Sequence, residues 1–333
     1  MATFKIYKLH FTSPLHISDQ HADIGVSQKT IHSDTLYAAL MSCLAKTGCS
    51  IPKDGNLGFV LSSMFPYYQE APDSAPIYFL PVPMKVTLPE LKDVAMAKKV
   101  KKVQWIDAGL YGYALSGKDF FDKSEDYVSK IKGAYLTLRN LPHDEFVCSE
   151  VAQRVRVEDR TGRSDALPYY VDRVLFKDFS GFYFLADGDT EMLDKALNIL
   201  AEEGIGTDRN VGFGFFEYTH DTLDLDLPSE AEYMVTLSMF IPETESNMSK
   251  LLDSDKIAYE LCRRGGWITT PGYMTVRKNA IYAFMPGSVF KKPENLDGTC
   301  IGKMVDLRPD VGSMSPTHPI WRCGKSIVLP IKL

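Results

Sequence analysis

The sequence has no CxxC pair: among its six cysteines only Cys43 and Cys49 lie close together. That leaves a Zn site without support, and predicts reduced, mostly buried thiols at Cys43, Cys49, Cys148, Cys262, Cys300 and Cys323. It also lacks any run approaching the roughly 18 to 20 uncharged apolar residues that would cross a bilayer. The opening MATFKIYKLHFTSP alternates polar with apolar where a signal peptide would show a continuous apolar block. The expectation is a cytoplasmic chain without a membrane partner. HExxH, GxSxG, a Walker ending and a spaced Asp/Glu cluster are missing as well, so no metal and no cofactor is expected. Positive charge is not in excess: 37 Lys and Arg stand against 43 Asp and Glu, a net charge of -6. A free-standing nucleic-acid binder would usually be basic overall.

What is present is an ordinary globular composition, 45% hydrophobic, 11% aromatic and 24% charged, over 333 residues. At about 150 residues per domain this suggests two units. TFKIYKLHF (3–11) has roughly the period of a half-buried strand. SDTLYAALMSCLAK then reads as a helix capped by Ser33 or Asp34, with Leu36, Leu40, Cys43 and Leu44 on one face. IYFLPVPM (77–84) fits a strand stopped by its prolines, and a basic, strand-poor insert follows at about 85–130. FSGFYFLAD resembles a core strand, TEMLDKALNILAEEG a helix ending at Gly204, and FGFFEYTH another strand. The order strand-helix-strand-strand-helix-strand is that of a ferredoxin-like, RRM-type domain. HDTLDLDLPSEAE (220–232) reads as a linker, placing domains at 1–225 and 226–333. In the second unit NMSKLLDSDKIAYELCRR reads as a helix, with strands expected at 280–290 and 325–333. The fold class is α+β.

Four segments carry possible chemistry. Residues 204–216, GIGTDRNVGFGFF, join a helix to a strand through Gly204, Gly206, Gly212 and Gly214, with Arg209, Asn210 and Phe213 among them. Glycines permit close backbone approach to a phosphate, but a helix exit with core phenylalanines would look the same. In RVRVEDRTGR (154–163), Arg154 and Arg156 share a strand face and Arg160 precedes a turn. These arginines suit a nucleic-acid backbone, or an ion-pair network with Glu158 and Asp159. KKVKKV (98–103) sets Lys98, Lys99, Lys101 and Lys102 on a solvated face or on an arm that contacts phosphates. Arg263, Arg264, Gly265, Gly266 and Trp267 offer cations, amides and an aromatic together, or a helix stop with a buried Trp. For catalysis the candidates are His16, His32 and Asp34, a His being able to activate a ribose 2′-OH; no paired partner is visible in sequence, and a polar loop His and a capping Asp explain them without chemistry.

Taken in order, SPLHI (13–17), SDTLYAAL (33–40), RVEDRTG (156–162), GIGTDRNVGFGFF (204–216), CRRGGW (262–267), MPGSVF (285–290) and HPIWRCG (318–324) resemble the RAMP proteins of CRISPR effectors. They are most similar to the family of subunit four of the type III-A Csm complex. The resemblance implies two ferredoxin-like, RRM-related RAMP domains with a thumb-like insert in the first. It implies a non-catalytic subunit that binds the repeat-derived 5′ tag of the crRNA. Its partners would be the large polymerase-palm subunit and the backbone RAMP subunit. Carried over by position, the glycine-rich loop with Arg209 and Asn210 would cradle tag phosphates, and His16, Ser33 and Thr35 would line the same groove. Arg154 to Arg160 would extend it, and the lysine-bearing insert would be the thumb. Two rivals remain at this point: a metal-independent endoribonuclease with His16 as base, and a protein-only adaptor.

Overall fold

The computed structural model describes residues 1–18, 26–85, 94–117, 130–142, 145–156, 167–177, 179–294, 296 and 298–333. The first half builds strands β1 (Ala2–Phe11), β2 (Phe59–Leu61), β3 (Phe65–Tyr68), β4 (Ile77–Pro81), β5 (Trp105–Asp107), β6 (Ile131–Lys132), β7 (Tyr135–Leu136), β8 (Val147–Arg156), β9 (Leu167–Phe176), β10 (Gly181–Gly188) and β11 (Phe216–Leu225). Its helices are α1 (Ser33–Lys46), α2 (Val94–Lys101), α3 (Ala108–Leu115) and α4 (Thr190–Glu203). The main sheet runs β11-β1-β10-β3-β4-β5-β7-β6, with β2 paired to the far end of β10. Counted with β2 and β3 as one interrupted strand, its first four positions follow the order 4-1-3-2 with antiparallel neighbours.

This sheet is covered on both faces, which explains why GFYFLAD is apolar without alternation. Tyr7, Leu9, Phe11, Phe182 and Phe184 pack under α1 and α4. Ile6, Tyr183 and Leu185 point the other way, onto α3 and the C-terminal sheet. That second sheet comes from strands β12 (Tyr233–Thr236), β15 (Val289–Lys291), β16 (Cys300–Ile301) and β19 (Ser326–Ile331), in the order β15-β12-β19-β16. Two hairpins complete the half, β13 (Leu261–Arg264) with β14 (Ile281–Phe284), and β17 (Met304–Asp306) with β18 (Trp321–Cys323); α5 (Glu245–Leu251) is its one α-helix among the described residues.

Several expectations are corrected. α1 is capped by His32, in extended backbone and without a side-chain cap, so neither Ser33 nor Asp34 caps it. The acidic stretch 220–225 stays in β11, because alternating Leu223 and Leu225 are buried against β1; the connection is 226–232. The long helix over 247–264 stops at Leu251, and Leu261–Arg264 form a strand, register-locked to Ile281–Phe284. Within the supposed thumb, β5 extends the main sheet and α3 is core: AGLYGYAL is apolar nearly all round, and Leu110, Tyr111 and Leu115 are buried. The element standing off the sheet is instead the β8–β9 hairpin, with Val151, Val155 and Tyr170 exposed towards its tip.

Candidate nucleic-acid interface

α4 begins at Asp189, whose side chain accepts from the Met192 N–H, and ends at Gly204. The chain then folds back tightly. Gly206 has φ +97 and Gly214 φ +78, and a Cβ would lie 2.5 Å from the His16 carbonyl oxygen at the first and 2.0 Å from the Ile205 carbonyl oxygen at the second. Amides in this loop are engaged internally: Ile205 N donates to Gly214 O (2.9 Å), Thr207 N to His16 O (2.9 Å) and Gly214 N to Pro14 O (2.8 Å). The glycines therefore close the loop on itself and onto the 14–16 segment rather than opening a nest. What it presents outward is the single turn Arg209–Val211, all three residues exposed, followed by Gly212, beside which a Cβ would meet nothing within 4 Å.

The arm is fastened to this loop. Arg154 donates to Asp208 Oδ2 at 2.8 Å while its guanidinium lies 4.6 Å from the centroid of the Phe213 ring. Phe213 is buried beneath it, so both residues join hairpin to loop. Arg156 pairs in the ladder with Leu167, and Arg160 lies outside the described residues. Arg209 faces Glu203 at 3.7 Å, and Glu203 is also paired with Lys46 of α1 at 2.5 Å. His16 is only 2% exposed, and its Nδ1 donates to the Asp172 carbonyl at 2.5 Å, pinning the base of the arm. A carbonyl can only accept, so Nδ1 carries the proton.

Other sequence candidates lie elsewhere. Lys98, Lys99, Lys101 and Lys102 form a solvated face around α2, whose Val100 is anchored in the core. Ser33 and Thr35 face the C-terminal half: Ser33 Oγ accepts from Met239 N at 2.9 Å, and Thr35 Oγ1 accepts from Arg264 Nη2 at 2.8 Å. Arg263 lies opposite Tyr282 in the β13–β14 hairpin, and Gly265 and Gly266 follow that strand. Trp267 is 52% exposed, with the Arg277 guanidinium 4.6 Å from its ring centroid, so it is not a buried helix-stop residue.

Between the halves lies a charged cluster that sequence reading missed. Asp34, fully buried, accepts from Arg264 Nε (2.7 Å) and Nη2 (3.1 Å) and from Arg322 Nη1 (2.9 Å). Burial alone would raise this carboxyl; Arg322 and Arg264 outweigh it and hold it well below the ordinary carboxylate range. Lys278 lies nearby, and burial, reinforced by Arg322, pushes it down to about 8. The available signal was an arginine set between Trp321 and Cys323 in an otherwise apolar strand. A groove of about 900 Å³ also opens beside His32, Trp105, Tyr135 and Phe146, but its lysines are engaged, Lys29 with Glu145 (3.0 Å) and Lys132 with the Leu141 carbonyl (2.6 Å).

Comparison with known proteins gives a consistent answer. Residues 229–331 match the family model described as the CRISPR Csm4 C-terminal domain. The "CRISPR system Cms protein Csm4" of Mycobacterium tuberculosis (strain CDC 1551 / Oshkosh) is 25% identical over 327 residues, covering 93% of each chain. In fold, the chain is similar to one from the Csm3–Csm4 subcomplex of a type III-A CRISPR-Cas interference complex, with TM-score 0.58 at 20% identity and 100% of both chains covered. It is equally similar to one from the Csm1–Csm4 cassette in complex with pppApA, with TM-score 0.58 at 20% identity, covering 100% of this chain and 99% of the other.

Proposed function

This chain belongs to the Csm4 family, and on that footing we propose that it is a non-catalytic subunit of a type III-A Csm complex that binds the 5′ tag of the crRNA. In the same reading it bridges the large polymerase-palm subunit and the backbone RAMP subunit, as the Csm1–Csm4 and Csm3–Csm4 assemblies of its structural relatives suggest. Its two halves are then two RAMP domains, the first with the 4-1-3-2 strand order of the ferredoxin-like plan.

The observation that carries the RNA-binding reading is the closed glycine loop. It holds Arg209 and Asn210 out to solvent on a rigid turn at the foot of the β8–β9 arm. Cations preset in this way contact phosphate without first losing the freedom of a mobile loop. Acidic overall charge fits a protein much of whose surface meets other subunits. The burial of His16, with Nδ1 committed to a carbonyl, supports a structural role rather than a general base.

The test is co-purification of the tagged chain with the products of neighbouring genes, followed by RNA extraction and sequencing. Wild type is expected to carry uniform crRNA with protected 5′ tags, and Arg209→Glu combined with Arg156→Glu to lose the RNA or fray its tag end. An assembly without RNA, or fully protected tags in the double variant, would favour a protein-only adaptor.

A further inference from the structure

The cluster under the first turn of α1 is unbalanced. Asp34 is one carboxylate facing Arg264, Arg322 and Lys278, an excess of two positive charges, and Asp34, Arg264 and Arg322 are all buried. Arg322 uses Nη1 on Asp34 and Nη2 on the Gly265 carbonyl at 3.2 Å, while its Nε, fully buried, has no partner among the described residues. The Lys278 N–H donates to Gly266 O at 2.8 Å, which seats it against the same two glycines. Its Nζ has no hydrogen bond or ion pair among the described residues, and the residue is neither fully buried nor fully exposed. Holding surplus cations in a low-dielectric site is costly unless an anion joins them.

We infer that Lys278, backed by Arg264 and Arg322, is a phosphate subsite for single-stranded RNA, at the junction of the two halves and separate from the glycine loop. The inference rests on the RNA-binding reading above and adds a second anchor to it. The surroundings favour nucleic acid over a protein carboxylate. Next to Lys278, Arg277 stacks on the exposed Trp267, and Tyr282, 63% exposed, stands opposite Arg263 on the neighbouring hairpin. A phosphate anchor beside exposed aromatic faces is the composition that holds unpaired nucleotides, through charge on the backbone and stacking on the bases.

The experiment compares wild type, Lys278→Met, Lys278→Arg and Arg209→Glu in the assembled complex. A fluorescent single-stranded RNA carrying the repeat-derived 5′ end is titrated at several KCl concentrations, with inorganic phosphate as a competitor in a parallel arm. Melting curves of each variant without RNA complete the set. Lys278→Met is expected to bind roughly tenfold more weakly and to reduce the slope of log affinity against log salt by about 0.7, the effect of one lost phosphate contact. Lys278→Arg should restore both. Without RNA, Lys278→Met should melt no lower than wild type, since it removes an uncompensated cation. Unchanged affinity and slope in Lys278→Met while Arg209→Glu is weakened would overturn the subsite and leave the RNA-binding reading standing. A lower melting temperature with an unchanged salt slope would mark a structural lysine and likewise overturn it. So would loss of a protein subunit with RNA affinity intact, because the anion would then be a carboxylate of that partner. Competition by inorganic phosphate alone, with no RNA dependence on Lys278, would reduce the site to an adventitious ion only. If wild type binds no RNA, both readings fall together.

Discussion

Asp34 shows how one residue can join two halves of a chain. Its carboxylate, 1% exposed, is shared by Arg264 and Arg322, which come from separate hairpins more than 200 residues further on. Removing the anion leaves two buried guanidinium groups unpaired, a situation that typically costs about 3–5 kcal/mol. Asp34→Asn should therefore lower the urea midpoint by a corresponding amount, while retaining the shape of the side chain. The pH dependence has a definite sign. The folded-state pKa lies below the ordinary 3.8, so the stabilisation is fully present above that value and is withdrawn as pH falls through the folded pKa. The wild-type and Asn stability curves should accordingly converge in acid, as read by urea unfolding at each pH.

The glycine loop is an element whose glycines differ in purpose. Gly214 sits where a Cβ would collide with a backbone carbonyl at 2.0 Å, and Gly212 where it would meet open space. Both have positive φ, so alanine carries a strain of about 1–2 kcal/mol at either position. Only at Gly214 must the loop also open. Gly214→Ala should exceed that strain in unfolding free energy and should release the amide of Ile205, which donates to Gly214 O, to faster hydrogen exchange. Gly212→Ala should stay within it and keep the loop closed. Equal losses at both positions would mean that the loop is not held by this close approach.

The whole molecule is a three-layer stack in which the main sheet serves two cores. Val235, Leu237, Val289, Ile327, Leu329 and Ile331 of the C-terminal half bury against the first half. At 1.5–3 kcal/mol per buried side chain, they contribute on the order of 10 kcal/mol, as much as the net stability of a typical domain. Backbone and hydroxyl bonds cross the same seam, including Ser63 N to Leu237 O (2.8 Å) and Ser238 Oγ to Leu61 O (2.7 Å). Residues 226–333 expressed alone should therefore show no cooperative melting transition, whereas the full chain should melt as one unit by calorimetry. A sharp independent transition in the fragment would show that this shared core is dispensable.

Local patterns in the chain were enough for β1, α4 with its Gly204 stop, β19, and the α+β class, because periodicity and helix-stop signals act over a few neighbouring residues. The ordered family motifs, from SPLHI to HPIWRCG, carried the kinship for a similar reason: each is a short contiguous string. Long-range pairing was not legible there. LCRR is a strand because Ile281–Phe284 lies beside it, and AGLYGYAL is core because a second sheet covers it. The role of Asp34 needed two arginines brought from 230 and 288 positions away. Burial and charge balance are sums over spatial neighbours, so they came into view only once the chain had folded.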